Sequence, residues 1–207
     1  MKIISMCLGP LQTNCYIIYG ENKKAAVIDP AFYADQIQRA LDENGLTLEK
    51  ILLTHAHFDH IMAVNDLREI GAELYLHEDD EEMLNYPELN CMLEFLGKTV
   101  SFKKAEHLLK DGDEVDVGGE KIKVLHTPGH TKGSVCYISG GVMFSGDTLF
   151  CGSIGRTDLY GGSYEALQES LKKLSEIEDD LKVLPGHGER TTLQKEKNDN
   201  IDMKTLR

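Results

Sequence analysis

The chain has 207 residues, 41% of them hydrophobic and 28% charged, which is enough apolar material for a packed core and too much for a disordered segment. A formal net charge of −13 repels phosphate backbones and argues against nucleic acid as a partner. No apolar run approaches the roughly 20 residues that span a bilayer, and Gly9-Pro10 interrupts the first apolar stretch, so neither a membrane span nor a signal peptide is expected and a cytoplasmic location is.

Taken in order, residues 2–6, 15–20 and 24–29 read as three short strands, with turns at Gly9-Pro10 and Glu21-Asn22. Residues 33–44 carry Ile37, Ala40 and Leu41 at helical spacing, and Asn44-Gly45 ends that helix. The run KILLT at 50–54 is an apolar strand. Residues 60–70 repeat apolar side chains at Ile61, Val64, Leu67 and Ile70, which predicts one helix stopped by Gly71. ELYLH at 73–77 is a strand, and the acidic stretch 78–97 reads as short helices split by Pro87, with Met83 to Leu96 packing into the core.

The second half repeats the style. Residues 121–126, 134–139 and 141–146 read as strands, and the Gly140-Gly141 step marks a tight hairpin between the last two. Residues 163–175 form an amphipathic helix with Ser163 as its N-cap, 181–185 a last strand, and the tail from Thr191 is polar and helical. No linker composition interrupts residues 1–207, so a single domain of α/β class is expected. A doubly wound sheet needs a glycine-rich phosphate loop after its first strand, and none is present. Two sheets held between helices fit better. The five cysteines, Cys7, Cys15, Cys91, Cys136 and Cys151, are odd in number with no C-x-x-C pair, the pattern of buried reduced thiols.

Metal-ligating residue types collect where strands end. His55 follows ILLT, with His57, Asp59 and His60 close behind; His130 follows KVLHTPG; Asp147 follows VMFSG; His187 follows KVLPG. Two of these ends use a Pro-Gly step, Pro128-Gly129 and Pro185-Gly186, to turn the chain sharply out of the strand. Strands lying side by side would bring all four ends to one rim. Five imidazoles and two carboxylates exceed what one catalytic zinc takes and suit two ions sharing a carboxylate. In an extended segment His55 and His57 point to the same side, while Asp59 and His60 open the following helix and face a second position.

The segments THAHFDH, TPGHT, SGDTLF and LPGHG, with GPLQTNCYII and VIDPA before them, resemble the metallo-β-lactamase superfamily over nearly the whole chain. The resemblance implies a four-layer αβ/βα sandwich with the metal site at the sheet rim. It implies one ion on His55, His57 and His130, another on Asp59, His60 and His187, and Asp147 bridging both. Zinc is the first expectation, with iron and manganese served by the same donors. Within the superfamily, GDTLFCGSIGRTDLYGG resembles glyoxalase II-like hydrolases. Glyoxalase II proper carries a helical C-terminal extension that contacts glutathione; only residues 188–207 follow His187, so the chain resembles the short, single-domain members.

The implied chemistry is attack of a metal-bound hydroxide on the carbonyl of a small-molecule thioester or ester, with Asp59 and Asp147 as the catalytic carboxylates. Alternatives are a persulfide dioxygenase with one iron, which shares the GRTD segment, a lactonase or other ester hydrolase, and a non-catalytic metal-binding protein. A β-lactamase ranks low, because antibiotic hydrolysis usually belongs to exported proteins. Arg156 and Tyr160, in the glycine-rich loop after Asp147, are candidate substrate contacts, with pairing to Asp158 the competing role for Arg156. Asp29 is a candidate acceptor for a ligand histidine. His126 is expected to support its loop by a hydrogen bond, His77 to cap a helix or face solvent, His107 to lie on the surface, and Cys151 to pack as a small residue.

Overall fold

A computed structural model describes residues 1–205. Its strands form two six-stranded mixed sheets. The first runs in chain order: β1 (Lys2–Leu8), β2 (Thr13–Tyr19), β3 (Lys24–Ile28), β4 (Thr47–Leu52), β5 (Glu73–His77) and β6 (His107–Leu109). The first three are an antiparallel meander. From β3 onward the pairing is parallel, because helical crossovers return the chain to the same end of the sheet each time. Those crossovers are α1 (Ala34–Glu43), the pair α2 (Phe58–Ile61) and α3 (Val64–Glu69), and then α4 (Glu81–Asn85) with α5 (Met92–Leu96).

The second sheet contains β7 (Glu114–Val117), β8 (Glu120–His126), β9 (Val135–Ser139), β10 (Val142–Gly146), β11 (Lys182–Pro185) and β12 (Thr191–Thr192), in the order β12-β11-β10-β9-β8-β7. β7 to β10 are antiparallel, and α6 (Tyr164–Ser175) carries the chain to β11, parallel to β10. The chain ends in α7 (Leu193–Asp199) and α8 (Ile201–Lys204).

Three apolar clusters make four layers of these parts. Ile17, Val27, Ile51 and Leu74 face Ile37, Leu41, Val64 and Leu67 of the outer helices. Tyr16, Ile18, Ile28 and Leu52 of the first sheet meet Val124, Tyr137 and Phe144 of the second. Cys136, Met143 and Val183 turn the other way, onto Leu167, Leu171, Leu193 and Met203. Strands buried on both faces read as continuous apolar runs, as AAVI of β3 and KILL around β4 do. The expected αβ/βα sandwich is therefore the observed one.

Most elements fall where the sequence places them, and Ser163 caps α6 by accepting the Ala166 N–H. The single helix expected over 60–70 is instead two, α2 and α3. The Ala63 N–H donates to the Pro30 carbonyl rather than to its own preceding turn, which breaks the ladder just after Asp59 and His60. Strands β6, β7 and β12 were not anticipated. β6 and β12 are too short for a period, whereas EVDV of β7 alternates exposed and buried and carried a usable signal. Among the described residues no helix is long and apolar enough to cross a membrane.

Candidate metal centre

The four strand ends come from both sheets rather than from one. β4 of the first sheet delivers Thr54, His55 and His57, while β8, β10 and β11 of the second deliver His130, Asp147 and His187. The rim is stitched across the sandwich. The Val135 N–H donates to the Thr54 carbonyl at 2.8 Å, the Tyr137 hydroxyl to the Leu53 carbonyl at 2.8 Å, and the Tyr16 hydroxyl to the Pro185 carbonyl at 2.7 Å. These bonds hold the ends of β4 and β11 at one height. Gly186 then lets two loops touch: a Cβ there would stand 2.2 Å from Asp147 Oδ1 and 2.8 Å from His60 Cε1.

The donor atoms fall into overlapping triads whose members lie within 4.8 Å of one another: His55, His57 and His130; Asp59, His60 and His187; and His55, His60 and Asp147. Asp147 sits between the first two sets. Its Oδ1 is 3.5 Å from His60 Nε2, and its Oδ2 is 3.5 Å from both His130 Nε2 and His187 Nε2. His57 turns Nδ1 toward His130 Nε2 at 2.9 Å, and His187 Nε2 stands 3.2 Å from Asp59 Oδ2.

The outer nitrogens settle the tautomers. A carbonyl only accepts, so His130 Nδ1 donates to the Arg156 carbonyl (2.7 Å) and His187 Nδ1 to the Leu11 carbonyl (3.1 Å). His60 Nδ1 donates to Asp29 Oδ2 at 3.0 Å. Thr54 spends its hydroxyl proton on Asp29 Oδ2 (2.7 Å), so its oxygen receives His55 Nδ1–H at 3.1 Å. Four rings thus carry their proton outward and point an Nε2 lone pair inward, the arrangement that metal-binding imidazoles use. Asp29 anchors two of them, His60 directly and His55 through Thr54.

The chemistry of the set fits divalent ions. His55 Nε2, His57 Nε2, His60 Nε2 and Asp147 Oδ1 are all buried with no hydrogen-bond partner, in an interior where polar atoms are nearly always satisfied. Burial, reinforced by the neighbouring rings, drives His55 and His57 well below the usual imidazole range, so they stay neutral as ligands must. Burial also opposes charge on His60, yet Asp59, Asp147 and Asp29 outweigh it and push that ring up to about 10. Burial would raise Asp59, but His60 and His187 hold it well below the usual carboxylate range. His187 is raised in spite of its burial, through Asp59 and Asp147. Three carboxylates around one ring call for positive charge, which a dication supplies more fully than a proton does.

Over the donors opens a cleft of about 150 Å³, with Leu11, Phe58, Cys91, Phe95 and Leu159 as apolar lining and Arg156 as the cation at its edge. Phe95 stacks on Phe58 with ring centroids 5.3 Å apart. Arg156 lines the cleft while pairing with Asp158 through Nε and Nη2, both at 2.7 Å. Tyr160, expected in the same pocket, stands outside it: its hydroxyl donates to Glu82 at 2.5 Å and Lys132 lies over its ring. Cys151 lies back from the cleft, 3.6 Å from Lys195 Nζ. His126 donates to the Lys132 carbonyl, His77 accepts the Asp79 N–H, and His107 pairs with Glu73 at the surface.

Sequence reasoning missed Thr13, whose hydroxyl donates to Asp59 Oδ2 at 2.8 Å, and the carbonyls of Leu11 and Arg156, since a backbone acceptor leaves no trace in residue type. It also passed over Asp80, a wholly buried carboxylate beneath the ligand loops. ELYLHEDD, an acidic run closing a strand, carried only a faint signal for it.

The family model for the metallo-β-lactamase superfamily matches residues 8–187. A probable metallo-hydrolase of Bacillus subtilis, YqgX, is 39% identical over 97% of this chain and 96% of its own. The hydroxyacylglutathione hydrolase GloC of Haemophilus influenzae is 35% identical over 97% of each. Among solved structures, BLEG-1, described as a B3 metallo-β-lactamase, superposes with a TM-score of 0.92 at 39% identity, covering 98% of this chain and 99% of that one. TTHA1623, in a di-iron-bound form, gives a TM-score of 0.82 at 36% identity, covering 96% and 98%. The ETHE1 protein of Myxococcus xanthus gives 0.82 at 31% identity, covering 97% and 84%. On its fold, its donor set and these matches, the chain belongs to the metallo-β-lactamase superfamily.

Proposed function

We propose that the chain is a metal-dependent hydrolase of a small-molecule thioester or ester, with glyoxalase II-like thioester hydrolysis its foremost reaction. The observation that carries this is the pair of donor triads joined by Asp147 at the floor of an apolar-walled cleft. The similarity to a hydroxyacylglutathione hydrolase supports the thioester. His55, His57 and His130 would hold one divalent ion and Asp59, His60 and His187 the other, with zinc proposed for both. When bound, such ions lower the pKa of water to about 7 and polarise an acyl oxygen.

The residues of the chain supply position, apolar walls and hydrogen bonds. Asp147 turns one oxygen toward His60 and the other toward His130 and His187, which keeps both sets in register. Asp59 stays ionised between His60 and His187 and accepts the Thr13 hydroxyl, which suits it to hold an ion and to accept a hydrogen bond that orients the attacking nucleophile rather than to take up a proton. Leu11, Phe58, Phe95 and Leu159 wall the open cleft, and a substrate seated against them would displace bulk water and strengthen each electrostatic contact within. Arg156 at the edge is proposed to meet a substrate carboxylate.

Purified protein tests this through elemental analysis beside hydrolysis of S-lactoylglutathione, simple thioesters, a lactone and a β-lactam; the β-lactam is included because of the likeness to BLEG-1. Two metal equivalents with thioester turnover are expected. One iron per chain with oxygen uptake on glutathione persulfide would overturn the hydrolase reading in favour of a dioxygenase. Asp147→Ala is expected to lose a metal equivalent with its activity; retention of both would count against the bridging role.

A further inference from the structure

Asp80 is wholly buried, at the end of the 3-10 turn Glu78–Asp80 that follows β5. A buried carboxylate is costly unless its oxygens are fully used. Here all three of its hydrogen bonds come from the loops that carry metal-ligand histidines. Oδ2 accepts the N–H of Ala56, the residue between His55 and His57, at 3.1 Å, and the hydroxyl of Thr131, the residue after His130, at 2.8 Å. Oδ1 accepts the Gly133 N–H at 2.7 Å. Gly133 makes the approach possible, because a Cβ there would stand 2.7 Å from Asp80 Cγ.

We infer that Asp80 is a positioning residue for one half of the centre: its carboxylate ties the His55/His57 loop to the His130 loop and so sets the spacing of that triad. No strand pairing joins these loops. β4 lies in the first sheet and β8 in the second, so the convergence of His55, His57 and His130 depends on contacts made beyond the sheets. The other triad is braced by different groups, with Thr13 on Asp59, Asp29 on His60 and the Leu11 carbonyl on His187. Asp80 therefore acts on one half-site and leaves the other alone.

The inference rests on the two-ion reading above, and zinc titration of the metal-stripped full chain separates the two. The wild type is expected to take up two zinc ions. Asp80→Asn keeps the volume but replaces one of the two accepting oxygens by an NH2 group, which cannot accept from an N–H or a hydroxyl, so whichever way the amide turns at least one of the three bonds is lost. It is expected to weaken one of the two affinities about 10–100-fold, the range seen when partners of ligands are removed, and to leave the other unchanged. Gly133→Ala, which pushes the carboxylate from the far side, is expected to weaken the same ion, and serves as the test if Asp80→Asn does not fold. In a His187→Ala background Asp80→Asn should lower the affinity of the remaining zinc; in a His57→Ala background it should not. A residue that only supports the fold would lower Tm and leave both affinities in place. A wild type binding two zinc ions with both affinities unchanged in Asp80→Asn and Gly133→Ala overturns this role of Asp80. A wild type that binds no zinc overturns the two-ion reading, and the inference with it.

Discussion

Replacing Asp29 by Asn changes one oxygen of a buried side chain into an NH2 group and nothing else in size. That oxygen has three donors to satisfy with its twin: Thr54 N–H on Oδ1 at 2.7 Å, and Thr54 Oγ1–H and His60 Nδ1–H on Oδ2. An amide turned either way sets its own N–H groups against at least one of those donors. With NH2 toward His60, the ring is driven to the tautomer with the proton on Nε2, which removes the inward lone pair. With NH2 toward the Thr54 backbone, a buried N–H loses its acceptor, a cost of about 1–3 kcal/mol. Asp29→Asn is therefore expected to lower stability by about that amount and to weaken metal binding about 10–100-fold. Chelator competition and chemical denaturation of the metal-stripped protein read the two effects separately. Wild-type affinity for both ions, with His60 keeping its Nδ1–H signal in the NMR spectrum, would refute the chain of reasoning from Asp29 to ring tautomer.

Other substitutions probe the same logic from different sides. Thr54→Val removes the oxygen that receives His55 Nδ1–H and should weaken binding at the His55/His57/His130 set while leaving the Asp59/His60/His187 set intact, as read by two-site zinc titration. Gly186→Ala would force Asp147 and His60 apart, since the new methyl falls 2.2 Å from Asp147 Oδ1; overpacking of this kind costs about 1–3 kcal/mol, and Tm and metal content should fall together. Arg156→Ala should leave metal content unchanged, because His130 is held by the backbone carbonyl of Arg156, and should raise KM for an anionic thioester more than for an uncharged one.

Residue type and spacing made the centre legible, because metal chemistry demands imidazoles and carboxylates and each of these follows a recognisable apolar strand. The long strands and α6 were legible for the same reason: their period or their apolar run is complete within the segment. What lay hidden depends on contacts made only in three dimensions. The break between α2 and α3 comes from a carbonyl at Pro30, far back in the chain. The ring tautomers rest partly on the carbonyls of Leu11 and Arg156, to which any residue type contributes equally. Tyr160 sits in the loop expected to border the metals, yet Glu82 and Lys132, from other parts of the chain, draw it outside the cleft. Asp80 reads as one more acid in an acidic run until the fold closes two loops upon it.

The central claim is that two ions, held by two triads and shared by Asp147, are what make the cleft a hydrolase. Thioester hydrolysis measured as zinc is returned to the stripped protein, one fraction of an equivalent at a time, tests it most directly. The account predicts activity that levels off at two equivalents per chain. Full activity at one equivalent, or none on thioesters and esters at two, would contradict it.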